Sequence, residues 1–187
     1  MRKLRHILST GVFACVVILS TTLAVDGADR IEASEVEIGQ DVTAVENPWY
    51  SYSGYTGYNH DGEFILDPYF VNAVAYQSFT INGYEIDGSK EAMDEYGENH
   101  TVVETYDQQI LKYADGKAIG VSFPVNSGAV SKEALFDVYG ETENAAPSDP
   151  DEVAYYNYQI EDQRIQFVVR DGWVTEVRYG GDLMNHS

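Results

Sequence analysis

Apolar positions follow two regimes along the chain: an almost unbroken run from Ile7 to Val25, and, from Trp49 onward, short stretches with helix or strand spacing. In the second regime, Asp67-Pro68 reads as a helix start. The carboxylate caps free amide donors, proline fills the first turn, and Phe70, Val71 and Val74 supply an apolar stripe through Tyr76. Phe79, Ile81, Tyr84 and Ile86 then flank Asn82-Gly83, a pair that accepts positive φ at both positions and so predicts a two-residue hairpin. Residues Gly88 to Asn99 are rich in acids and poor in apolar side chains, which predicts an exposed connection.

Strand pattern resumes at Thr101 to Tyr113 and Ala118 to Val125, joined through Asp115-Gly116, with Ile119, Val121 and Phe123 alternating. Ser131 is placed to cap a helix carrying Ala134, Leu135 and Val138, and Gly140 to end it. Pro147 and Pro150 mark a loop. Three strands close the chain: Val153 to Ile160, Arg164 to Arg170 and Trp173 to Tyr179, the last two joined by Asp171-Gly172. The predicted class is α+β, with short helices packed on antiparallel β-sheet in a single compact domain.

The first regime changes where this domain is expected to work. Arg2, Lys3 and Arg5 precede the apolar run, and Ala24, Gly27 and Ala28 follow or close it, the tripartite pattern of a secretory signal peptide. A membrane anchor fits less well, because Ser9, Thr10, Ser20, Thr21 and Thr22 dilute the run and Asp26 and Asp29 come first beyond it. Lipidation at Cys15 fits less well too, since the run continues past that residue. The expected organisation is a signal peptide over 1–27, an acidic disordered arm over 28–47 and a folded domain over 48–182 of a secreted protein. No stable membrane insertion follows cleavage. The single cysteine lies in the signal, so the mature chain has neither a disulfide nor a thiol nucleophile.

Charge sharpens this picture. The formal net charge is −20, and every acidic residue lies at or beyond Asp26, so the chain from Asp26 onward sets 31 acidic against eight basic residues. Such a surface repels phosphates at long range. Catalytic chemistry has little to stand on: outside the signal the histidines are His60, His100 and His186, and no HExxH, CxxC, GxSxG or Walker pattern accompanies them. The sequence therefore points to no catalytic residue, no metal site and no cofactor. The candidate binding residues are the aromatic cluster Trp49, Tyr50, Tyr52, Tyr55 and Tyr58, set among serine and glycine. These rings suit half-buried packing against a sheet. They also suit stacking on single-stranded bases, although stacking ordinarily operates inside a positive groove.

Several segments together resemble the immunodominant staphylococcal antigen B family. They are Pro48-Trp49-Tyr50-Ser51-Tyr52-Ser53-Gly54-Tyr55, Phe64-Ile65-Leu66-Asp67, Phe70-Val71-Asn72-Ala73, Ile81-Asn82-Gly83, Glu104-Thr105-Tyr106-Asp107-Gln108, Val138-Tyr139-Gly140, Phe167-Val168-Val169-Arg170 and Val174-Thr175-Glu176-Val177. The resemblance implies a small secreted, cell-surface-associated, non-enzymatic protein seen by host antibodies, linked to virulence and to binding of extracellular nucleic acid. The charge of this chain runs against that last property, because Lys and Arg supply most non-specific nucleic-acid affinity. The partner expected instead is a host or envelope component. The helix and three strands from Ser131 to Tyr179 keep a second reading open, an envelope-associated inhibitor or stress module.

Overall fold

The computed structural model of the chain describes residues 48–145 and 153–184. The predicted signal peptide, the acidic arm and the Pro147 to Pro150 loop lie outside the described residues.

Local signals act where the chemistry demands. The Asp67 carboxylate accepts the Tyr69 amide at 2.8 Å and starts α1 (Pro68–Ala75). Left-handed Gln77 then turns the chain into β2 (Phe79–Ile81). Asn82 and Gly83, at φ 48° and 85°, close the hairpin to β3 (Tyr84–Ile86). Ser131 caps α3 (Lys132–Tyr139) by accepting the Ala134 amide at 3.1 Å, and Gly140 ends it at φ 84°. The last three strands are β7 (Val153–Ile160), β8 (Gln163–Arg170) and β9 (Trp173–Gly180), paired antiparallel in chain order.

Three expectations are corrected. The stretch from Gly88 to Asn99 is not merely a connection: Ser89 accepts the Ala92 amide at 3.1 Å and starts α2 (Lys90–Tyr96). This polar helix lays Ala92 on Leu111 and Ile119, while Tyr96 stacks on Tyr113 at 4.0 Å. The run from Thr101 to Tyr113 is two strands, β4 (Thr101–Thr105) and β5 (Gln108–Ala114), because Tyr106 adopts φ 56° and folds the chain back. The sheet is mixed rather than antiparallel: β1 (Tyr50–Tyr52) runs parallel to β2, and β3 runs parallel to β6 (Lys117–Pro124).

The sheet branches at β6. One edge of β6 pairs with β5, while the other is shared, with Lys117 and Ala118 against β3 and Gly120 to Pro124 against β9. Two strands can exchange partners along one edge only if the backbones close up at the junction. A Cβ on Gly88 would sit 2.4 Å from the Tyr179 ring, and one on Gly120 2.6 Å from the Gly181 amide nitrogen. Glycine at both positions makes that approach possible.

The core lies on the side of the sheet covered by α1, α3 and a 3-10 turn (Asp61–Leu66). Phe64 meets Phe70 edge-on at 5.2 Å, Phe70 meets Phe79 at 4.9 Å, and Phe64 stacks on Phe123 at 5.6 Å. The buried faces of β8 and β9 continue this core through Phe167, Val177 and Tyr179. The small cluster under α2 covers the other side, so β5 and β6 are packed on both faces.

Candidate functional site

The predicted aromatic cluster divides according to strand alternation. Along β1, Tyr50 and Tyr52 point inward: Tyr50 stacks on Phe64 at 5.8 Å and meets Phe70 edge-on at 5.9 Å, and Tyr52 stacks on Phe64 at 4.4 Å. Partial burial raises the phenol pKa of both, that of Tyr52 to about 12, with the nearby Asp61 and Asp107 carboxylates adding to it. Trp49, one residue earlier, is 69% exposed. Tyr55 and Tyr58 leave the strand and stand in solvent.

Tyr55 does not stand alone. Its ring meets Tyr106, from the turn between β4 and β5, edge-to-face at 5.0 Å and 80°, and the two are 53% and 59% exposed. A network of polar side chains holds the two backbones together. Asp107 lies 3.1 Å from the Thr56 amide through both carboxylate oxygens and accepts the Gly57 amide at 2.8 Å. Gln108, nearly fully buried, donates to the Gly54 carbonyl at 3.1 Å and to Asp107, and accepts from the Asn82 side chain at 2.6 Å. Asn82 in turn accepts the Gly54 amide at 2.8 Å, and the Tyr52 hydroxyl donates to the Tyr55 carbonyl at 2.6 Å. These bonds pin the loop at Gly54, Thr56 and Gly57, so it is anchored at several points.

Sequence reasoning singled out Trp49, Tyr50, Tyr52, Tyr55 and Tyr58, and the structure gathers them only in part. Tyr50 and Tyr52 spend their ring faces on the core, Trp49 sits at the opposite end of β1 from Tyr55, and Tyr106 joins the surface from outside the cluster. Tyr106 lies within what reads as one long strand, so the sequence does not mark it as a binding residue. Asp107-Gln108 was the available signal, since a carboxylate and an amide in mid-strand need polar partners.

The electrostatics of this surface are one-sided. No lysine or arginine occurs between Trp49 and Ser89 or between Glu91 and Leu111, the segments that build it, whereas Asp61, Glu63, Asp67, Glu104 and Asp107 do. Elsewhere, five of the seven basic side chains of the described residues are committed to ion pairs: Lys90 with Asp94, Lys112 with Asp115, Lys117 with Glu85, Arg164 with Asp182 and Arg178 with Glu176. His60 pairs locally with Glu63 at 2.5 Å, and His100 contacts the Gly97 carbonyl at 2.6 Å. Among the described residues, no group of three or more His, Cys, Asp or Glu is gathered that could hold a metal ion.

The segments that resemble a known family are thus tied to one another in space. Comparison with known proteins agrees with that convergence. The family model for immunodominant staphylococcal antigen B matches residues 49–179. The chain is 29% identical over 175 residues to proteins of that name from Staphylococcus aureus strains USA300, NCTC 8325 / PS 47 and bovine RF122, covering 88% of this chain and 92% of each relative. No solved structure matches it. With the match running from the first strand to the last and taking in both halves of the Asn82, Asp107 and Gln108 network, this chain belongs to the immunodominant staphylococcal antigen B family.

Proposed function

We propose that this protein is a secreted, non-enzymatic binding protein that works at or near the cell surface, with Tyr55, Tyr58 and Tyr106 as its contact surface and a host or envelope component as its partner. One observation carries the reading. Two tyrosine rings stand more than half exposed on backbone anchored by Asp107 and Gln108, although the same chain buries Tyr139 and Tyr179 completely. Exposed aromatic rings on a rigid mount contribute contact area at little cost in conformational entropy, which is why Tyr and Trp dominate binding hot spots. The virulence-associated role implied by the family rests on the same surface reaching a partner outside the cell.

Duplex nucleic acid is the less favoured partner. Its affinity comes from Lys and Arg neutralising phosphates, and the segments carrying the aromatic surface hold neither. The test is capture from host fluid and, separately, from wall extract, with the wild-type domain and the Tyr55→Ala/Tyr106→Ala variant side by side. The expected result is a component retained by the wild type and lost by the variant. Equal retention by both would overturn the assignment of the surface. Duplex binding below micromolar at about 0.15 M salt, falling steeply as salt rises, would return nucleic acid to first place.

A further inference from the structure

We infer that the Tyr55–Tyr106 surface takes a cationic polypeptide segment, richer in arginine than in lysine. The inference rests on the binding role proposed above and names its partner chemistry.

Three observations on one surface lead to it. The rings of Tyr55 and Tyr106 meet edge-to-face, so the pair offers an exposed π face beside a ring edge instead of closing on itself as a stacked sandwich. An aromatic face attracts a cation, and guanidinium groups stack there more readily than ammonium groups. The surface is also built from segments that carry Asp61, Glu63 and Glu104 and lack any lysine or arginine. A bound cation would therefore meet no lysine or arginine from these segments. The third observation is rigidity: Asp107 holds the Thr56 and Gly57 amides, and Gln108 holds the Gly54 carbonyl, so the rings need little ordering when a partner arrives.

The same features argue against other partners. A phosphate-bearing ligand finds no cation in these segments. A purely apolar partner would draw nothing from the acidic residues of these segments. A flexible basic segment suits both features, because its guanidinium groups can cover the rings and its charge complements segments that carry carboxylates but no lysine or arginine. Long-range attraction by a chain of formal charge −20 adds to the rate of encounter, and it weakens with salt.

The probes are two short flexible peptides of equal charge, one alternating arginine with glycine and one alternating lysine with glycine. They are titrated into the wild-type protein by calorimetry, with a single-stranded thymidine oligonucleotide as the anionic comparison. The expected result is tighter binding of the arginine peptide than of the lysine peptide. Tyr55→Ala/Tyr106→Ala should weaken the arginine peptide about tenfold and level the two peptides, and Tyr55→Phe/Tyr106→Phe, which keeps both rings, should retain the wild-type preference. Asp61→Asn/Glu104→Gln should weaken both peptides at low salt and leave the arginine preference in place. Thermal melting confirms that each variant folds, and the phenylalanine variant keeps the test decisive if the alanine variant does not.

Equal binding of both peptides by the wild type would mean that net charge alone attracts them and would overturn the inference. So would tighter binding of the oligonucleotide than of the arginine peptide. If the capture experiment shows a partner lost with Tyr55 and Tyr106 while neither peptide binds, the binding surface stands and only its cationic partner class falls.

Discussion

Tyrosine is used in two opposite ways in this molecule. Around α3 and the β7 to β9 strands, Tyr139, Tyr158 and Tyr179 are buried, and each hydroxyl finds an acceptor inside. Tyr139 donates to the Ile65 carbonyl at 2.7 Å, Tyr158 to the Gly140 carbonyl at 2.8 Å, and Tyr179 to the Gln163 side chain at 2.7 Å. Between β1 and α1, by contrast, Tyr55 and Tyr58 project into solvent, with Tyr106 joining Tyr55. The first group supports the fold, and the second depends on it. A tyrosine whose ring and hydroxyl are both engaged inside the core has little left to offer a partner, so binding capacity resides where polar side chains fix the backbone and leave the rings open.

The largest expected difference between the two groups appears at high pH. Burial pushes the phenol pKa of Tyr139, Tyr158 and Tyr179 above the ordinary value of 10, with the Tyr158, Tyr156 and Asp87 neighbours respectively adding to it. A raised folded-state pKa means that this stabilisation is complete below pH 10 and is lost as pH climbs beyond it, because the unfolded chain releases its phenol protons first. Following phenolate absorbance together with near-ultraviolet circular dichroism should show the buried group ionising only as the tertiary signal disappears. Ionisation of every tyrosine in a single step with the tertiary signal intact would break the division between the groups.

Truncation comes next. Tyr179→Ala empties a fully buried site beside Phe79 and removes the hydroxyl partner of Gln163, and a loss of about 3–5 kcal/mol is expected in denaturant unfolding. Asp107→Ala strips the anchor from the Thr56 and Gly57 amides, for an expected loss of about 1–3 kcal/mol. It should also weaken partner capture, since Tyr55 would lose its fixed position. Capture unchanged in this variant would show that the rings act without their mount. Tyr55→Ala is expected to alter stability by no more than about 0.5 kcal/mol while reducing capture. A melting shift as large as that of Tyr179→Ala would place Tyr55 with the structural group after all.

What could be read directly from the sequence was chemistry confined to a few neighbouring residues. Asp67-Pro68 and Ser131 begin helices because their side chains cap amides two or three positions away, and Asn82-Gly83 turns because both accept positive φ. The Arg164 to Arg170 segment reads as a strand by the same kind of short-range pattern. Even α2 lay within reach, since Ser89 precedes it as a cap, but its acidic content concealed the narrow apolar stripe formed by Ala92, Met93 and Tyr96.

Tertiary structure alone decided the rest. No local signal states that β6 divides one edge between a parallel and an antiparallel neighbour, a choice that depends on glycines at positions 88 and 120 letting separate backbones meet. Nor does the sequence of the aromatic segment show that Tyr52 is drawn inward and Tyr55 left outside, or that Tyr55 finds Tyr106, 51 positions away. Caps and turns are determined by atoms a few bonds apart, whereas an aromatic ring becomes core or contact surface according to which distant segment covers it, and that coverage exists only once the sheet has closed.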